Sequence, residues 1–268
     1  MNWAIYRIHY GTDFLEDSIN SIIDSVDKVF VIYSLNPWVV KDTVSYLGNE
    51  IPMPKLHEDV VSFMEKHYSD NKKVEWFNQE ASTPDNQFRN YYDICVEKQN
   101  FEPHTVLFIE PDMVYTKGDV DYLRKQLLFN TTPCLGTTQI ELWKWHRWRI
   151  PQRPRIGPVM WMPLRSPNFR THFGPTMPGV EHVHQHIQNY NFGFCLNPQT
   201  MLYKHLTAIN FSATIGDSIP SQEWYRKKWL NWNTKTRDIE ISEKWKHLIP
   251  KAELYSMHEI MKQQMGIL

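Results

Sequence analysis

The chain has 268 residues, of which 41% are hydrophobic, with 29 basic against 30 acidic side chains. That length holds one large α/β domain or two small ones, and the apolar share excludes wholesale disorder. Near-neutral charge gives no global basis for binding nucleic acid or an anionic membrane, so any anion site must be local.

Three cysteines, Cys95, Cys134 and Cys195, form no CxxC and cannot all pair, which fits a reducing cytoplasm. No run approaches the ~18–20 apolar residues that cross a bilayer. The opening MNWAIYRIHYG lacks the basic-then-apolar layout of a secretory signal. The expectation is a soluble, cytoplasmic protein with no transmembrane segment and no nucleic-acid partner.

In chain order, WAIYRIH (3–9) reads as a first strand, and FLEDSINSIIDSVD places apolar residues at helical spacing from Phe14 to Val26. KVFVIYS (28–34) follows as a continuous apolar run of the kind a buried parallel strand shows. Strand, helix and strand make a βαβ unit with a right-handed crossover. Residues 36–73 read as a connection carrying one helix, EDVVSFMEKHY, and KVEWFNQ (73–79) as a third strand. STPDNQFRNYYDICVEKQ opens with capping residues and continues helically. VLFIEPDMVY (106–115) is the fourth strand and GDVDYLRKQLL (118–128) a further helix. This alternation predicts an α/β fold: a Rossmann-like, mostly parallel open sheet with helices on both faces.

Composition changes near residue 136. GTTQIELWKW and GPVMWMPLR read as strands around a basic stretch, HRWRIPQRPRIG, taken as a loop whose Arg147, Arg149 or Arg153 could close over phosphate. EHVHQHIQNYNFGF is a histidine-rich stretch, and HxHxH runs such as the one it holds are mostly partly exposed loops. As a strand it would put His182, His184 and His186 on one side, where a transition metal could bind. Helices are expected over NPQTMLYKHL, over IPSQEWYRKKWLNW with its Trp residues inward, and near 251–265. Most of the 11 Trp lie in this half, as core packing or as sugar-stacking faces. The simplest organisation is one continuous body with a ligand-binding front region (1–135) and a more variable back region (136–268).

The chemistry concentrates at Glu110-Pro111-Asp112, where a buried strand ends in two acids. Ligands of open α/β sheets gather outside the carboxyl ends of the strands. Acids two residues apart in an extended segment point to one side and form an oxygen-rich seat for Mg²⁺ or Mn²⁺.

The opening βαβ unit, the Arg89-Asn90 pair in DNQFRNYYDICVEKQ and the strand VLFIEPDMVY together resemble nucleotide-sugar glycosyltransferases of the A-type (GT-A) fold, particularly family 2. The resemblance covers about residues 3–128 and is loose beyond. It implies a metal-dependent hexosyltransferase-type enzyme that moves a sugar from a nucleotide-diphosphate donor to a glycan or lipid-linked acceptor, the acceptor binding to 136–268. It implies that Asp112 ligates Mn²⁺ or Mg²⁺, with Glu110 on the ribose or on a metal-bound water and a late histidine as third ligand. His205 is the first choice for that ligand, ahead of His184 and His186. Arg7, His9, Tyr33, Asp85, Arg89 and Glu110 are expected at the nucleotide, Arg89 contacting phosphate. The acid usual after the second strand is replaced by Tyr33-Ser34-Leu35-Asn36.

An inverting transfer needs a carboxylate base at the acceptor hydroxyl. Glu141 is ranked first and Asp217 also proposed, with Glu181 and Glu223 as further candidates. Without such a base, a retaining transfer competes. The alternative of a different kind is a non-catalytic carbohydrate- or nucleotide-binding protein on the same fold. A nucleotidyltransferase is disfavoured because YGTDF after the first strand lacks a glycine-rich basic loop, and a zinc hydrolase built on the histidine run stands last.

Overall fold

A computed structural model describes residues 1–8, 11–35, 42–46, 48–52, 60–79, 104–129, 133–151, 156–162, 183–212, 224–239 and 251–267. For 44–46, 156–159, 183–186, 205 and 207–212 it describes the backbone only. Strands β1 (Asn2–Ile8), β2 (Lys28–Tyr33), β5 (Val74–Asn78) and β6 (Thr105–Ile109) pair in parallel in the order β5-β2-β1-β6. Strands from the back half extend this nucleus: β10 (Ile156–Trp161) pairs antiparallel with β6 and with β8 (Cys134–Trp143). Beyond β8 come β9 (Trp145–Arg149) and the short β12 (Glu253–Leu254), both in antiparallel pairing. The result is the expected α/β fold, with a mixed sheet whose front half is parallel.

The continuous apolar runs are explained by burial on both faces. Ala4, Tyr6 and Ile8 join Val29, Val31, Leu107 and Ile109 in one core cluster, while Trp3, Ile5, Phe30, Ile32, Val106 and Phe108 form the other. Helices α1 (Leu15–Ile22), α2 (Val60–Tyr68) and α3 (Asp119–Phe129) bury residues in the first cluster. On the opposite face Trp3 meets Phe30 edge-on, with ring centroids 5.0 Å apart. The helix expected over 82–99 lies outside the described residues.

Three expectations change. The connection 36–73 contains, besides its helix, a small antiparallel hairpin of β3 (Thr43–Tyr46) and β4 (Asn49–Pro52). The basic stretch begins as β9, where Arg149 pairs with Glu253 at 3.4 Å and lies 5.2 Å from the Tyr255 ring centroid. Arg149 is therefore tied to the β9–β12 edge instead of serving a loop over phosphate, and Arg153 lies outside the described residues. The histidine-rich segment is a strand, β11 (Val183–Phe194), parallel to β8 and antiparallel to β7 (Met113–Tyr115).

The aromatic back half builds a core of its own. Trp143, Trp224, Tyr225 and Trp229 are buried together, with Trp148 and Trp232 packed against them. The basic segment 224–229 turns its Trp residues inward as expected, through a π-helical turn, Tyr225–Leu230. Helices α4 (Pro198–Ser212) and α5 (Glu259–Gln264) complete the described elements. No described helix is long and apolar enough to cross a membrane.

Leu107 on β6 is fully buried between β1 and β10, whereas Leu254 is 75% exposed at the sheet edge. In urea unfolding Leu107→Ala is expected to cost about 2–5 kcal/mol, and Leu254→Ala to stay within about 0.5 kcal/mol of wild type.

Candidate active site

The stretch 106–115 is two strands, not one. The Met113 N–H donates to the Glu110 carbonyl at 3.1 Å, closing a turn over Pro111-Asp112. Proline suits such a turn because its φ is preset and it has no N–H to satisfy. The chain leaves β6 at Ile109 and resumes as β7, which pairs with β11 instead of continuing along β1. The two acids therefore do not share an extended segment. Glu110 is partly exposed at the end of β6, and Asp112 is buried where β7 begins.

Helix α1 anchors this junction. Ser18 Oγ donates to the Met113 carbonyl and lies 3.0 Å from Tyr6 Oη, while Ser21 Oγ accepts the Tyr115 N–H at 3.2 Å. On the other side, the Phe192 N–H of β11 donates to the Asp112 carbonyl at 2.7 Å. Asn191 pairs in register with Met113 on β7 and with Glu141 on β8. Period-two alternation explains the polar strip that results. Gln139 and Glu141 alternate with Ile140 and Leu142, and Asn189, Asn191 and Gly193 alternate with Tyr190, Phe192 and Phe194. The apolar sets Ile140, Leu142, Tyr190 and Phe192 fill a cluster with Val114, Met257 and Met261.

The polar partners are close. Gln139 Nε2 lies 3.5 Å from Glu141 Oε1, and the Gly193 N–H donates to Asn191 Oδ1 at 2.7 Å. A Cβ on Gly193 would stand 2.8 Å from both Asp112 Oδ2 and Asn191 Oδ1, and 3.2 Å from Lys204 Nζ. Only glycine leaves room for the carboxylate there. Lys204 on α4 donates to the Gly193 carbonyl at 3.1 Å and approaches Asp112 Oδ2 to 3.9 Å. Helix α4 is set by its cap: Asn197 Oδ1 accepts the Thr200 N–H at 2.9 Å, and Asp13 Oδ1 accepts the Asn197 N–H at 3.0 Å.

Electrostatics follow from burial. The Asp112 carboxyl is pushed up to about 6, first by burial. Glu110 and Glu141 push the same way, against the Lys204 ammonium and the residue's own backbone amide. Glu110 is steadied by the buried Arg7, whose Nη2 donates to Oε1 at 2.7 Å. The thiol of Cys195 is pushed up by burial and by the Asp112 charge, so it stays protonated.

A divalent cation fits part of this arrangement. Asp112 Oδ1 is buried without a hydrogen-bond partner, the charges of Glu110 and Glu141 act on the carboxylate, and Gly193 removes the atom that would crowd its other oxygen, Oδ2. Among the described residues no three His, Cys, Asp or Glu side chains gather as a ligand set. Mg²⁺ and Mn²⁺ commonly take only one or two carboxylates and fill the remaining positions with water and phosphate oxygens.

Of the residues read from the sequence, the structure pairs Arg7 with Glu110 and sets Glu110 and Glu141 within electrostatic reach of Asp112. Tyr33 ends β2 in the core cluster beneath α1 and α2. His205 stands within helix α4, as its place in NPQTMLYKHL leads one to expect, and its side chain is not described. His184 and His186 lie on β11 with only their backbone described. His9, Asp85, Arg89, Glu181, Asp217 and Glu223 lie outside the described residues. Sequence reasoning missed Lys204, Asn191, Gly193 and Gln139. Alternation in NYNFGF was the available signal for two of them, and the Lys beside His205 offered none.

No protein family and no curated protein sequence matches the chain. Among solved structures it is similar to S. aureus TarS 1-349 in complex with UDP-GlcNAc, with 14% identity, 53% of this chain and 35% of that one covered, and a TM-score of 0.37. It is also similar to S. aureus TarS 1-349, with 11% identity, 79% and 66% covered, and a TM-score of 0.44. The chain thus spans about a third of the first relative and under two thirds of the second. Neither overlap is close enough to carry an activity across.

Because the Asp112 carboxyl titrates higher in the fold than in the unfolded chain, its contribution to stability is complete at low pH and is lost as pH rises through about 6. Asp112→Asn is therefore expected to melt above wild type in mildly alkaline buffer, and the gap should close as the pH falls through that value. Thermal melts across a pH series check this.

Proposed function

We propose that the protein is a metal-dependent glycosyltransferase that moves a sugar from a nucleotide-diphosphate donor to a carbohydrate or lipid-linked acceptor. The observation that carries the reading is the buried Asp112, with Oδ1 unpartnered and the charges of Glu110 and Glu141 acting on it, beside the Arg7–Glu110 pair at the carboxyl end of the parallel strands, where α/β folds place their ligands. The A-type fold and its family 2 remain part of this proposal.

A sugar nucleotide leaves as a diphosphate whose developing charge must be neutralised. In this reading Asp112, with its unpartnered Oδ1, and Glu110 hold Mn²⁺ or Mg²⁺, and the bound ion supplies Lewis-acid stabilisation of the departing phosphates. Arg7 holds the half-exposed Glu110 by its 2.7 Å ion pair, and that carboxylate would contact ribose or a metal-bound water. Arg89 would contact phosphate, and His9, Tyr33 and Asp85 the nucleoside. His205 is proposed as a further ligand.

Glu141 is assigned as the base. It is buried beside Gln139, and it sits on β8 level with Asn191 of β11. A carboxylate held away from water and oriented by an amide can take a proton from a sugar hydroxyl. Asp217 remains the second candidate.

Thermal-shift measurements with UDP-, GDP-, CMP- and dTDP-sugars, each with and without Mn²⁺, test the donor site. A ligand that binds only the folded state raises its stability in proportion to the logarithm of concentration over affinity. The expected outcome is a metal-dependent shift with one nucleotide, lost in Asp112→Ala. No shift across the panel would sink the donor assignment, and donor binding without turnover would favour a non-catalytic binding protein. With the donor identified, Glu141→Gln is expected to lower kcat by about 10²-fold or more while leaving donor affinity unchanged.

A further inference from the structure

Lys204 has no role in the reading above, yet its ammonium lies against the residue that reading assigns to the metal. We infer that Lys204 is a resident counter-ion of Asp112, and that it sets the metal affinity of the site by competing for that carboxylate. The inference rests on the metal-dependent reading.

Three observations converge on it. Lys204 Nζ is 3.9 Å from Asp112 Oδ2, close enough for charge to act and too long for a hydrogen bond. Its Nζ also donates to the Gly193 carbonyl at 3.1 Å, which holds the ammonium beside that carboxylate. The missing side chain of Gly193 opens the corner in which Asp112 Oδ2, Asn191 Oδ1 and Lys204 Nζ meet, since a Cβ there would come within 3.2 Å of all three.

Two cations cannot share one buried carboxylate without repulsion, which grows as water is excluded. An ammonium beside Asp112 also keeps the carboxylate charged and ordered before a metal arrives. Lys204 would thus hold the site preformed and make empty-site metal binding weak. Donor phosphates, which bring negative charge of their own, would then favour a metal and an ammonium side by side.

The test follows free Mn²⁺ by its electron-paramagnetic signal at about pH 8, where Asp112 is ionised. No nucleotide is added, and the full chain is used as wild type, Lys204→Met, Lys204→Gln and Lys204→Arg. Removal of the charge is expected to tighten Mn²⁺ binding about tenfold in Lys204→Met. Lys204→Gln, which keeps a donor for the Gly193 carbonyl, should tighten it likewise, and Lys204→Arg should stay near wild type. Mn²⁺ affinity unchanged or weaker in a charge-removing variant that melts cooperatively would overturn the inference. Equal Mn²⁺ affinity in wild type and Asp112→Ala would instead overturn the metal assignment itself and the inference with it.

Discussion

At Gly193 the backbone of β11 passes so near the Asp112 carboxylate that any side chain would collide with it. That close approach permits a charged group to be carried inside, and the surrounding bonds hold it there. The Phe192 N–H fixes the Asp112 carbonyl, the α1 serines hold β7, and Asn191 and Glu141 fall opposite each other in register. Burial of a carboxylate is costly unless it is compensated. Here the compensation is incomplete, with one oxygen unpartnered and one facing an ammonium at a distance beyond hydrogen bonding. An arrangement of that kind is more readily understood as a ligand site than as a device for stability.

The junction also explains the division of the sheet. Parallel strands β5-β2-β1-β6 form the nucleus, whose two faces are both apolar. Strands β8 and β11 of the back half, parallel to each other, then bring their polar rows, Gln139-Glu141 and Asn189-Asn191, to the point where β6 gives out. Trp143, Trp224 and Trp229, with Trp148 and Trp232 packed against them, place most of the tryptophans of this half in one aromatic core cluster.

Much of this was legible in the linear order of residues. Continuous apolar runs at 3–9, 28–34 and 106–109 identify doubly buried strands, because a strand covered on both faces has no polar alternation to display. Helical spacing in 14–26 and 118–128 was equally clear. Strand β11 was harder to see: its histidines suggested a loop, although the alternation of Asn189, Asn191 and Gly193 with Tyr190, Phe192 and Phe194 carried the period of a strand. Strand β9 was obscured by its Arg content, since a strand covered on its outer side only by the two-residue β12 tolerates charge and so resembles a loop.

By itself the sequence determined the α/β class, the parallel nucleus and the pair of acids at a strand end, because periodicity and residue type are local properties. The tertiary structure alone decided that Pro111-Asp112 is a turn between two strands, that Glu141 on β8 joins those acids, and that Lys204 from α4 faces Asp112. Those meetings depend on pairings between segments from 29 to 92 residues apart along the chain. Nothing in a local pattern specifies which distant strand or helix will supply the partner of a buried charge.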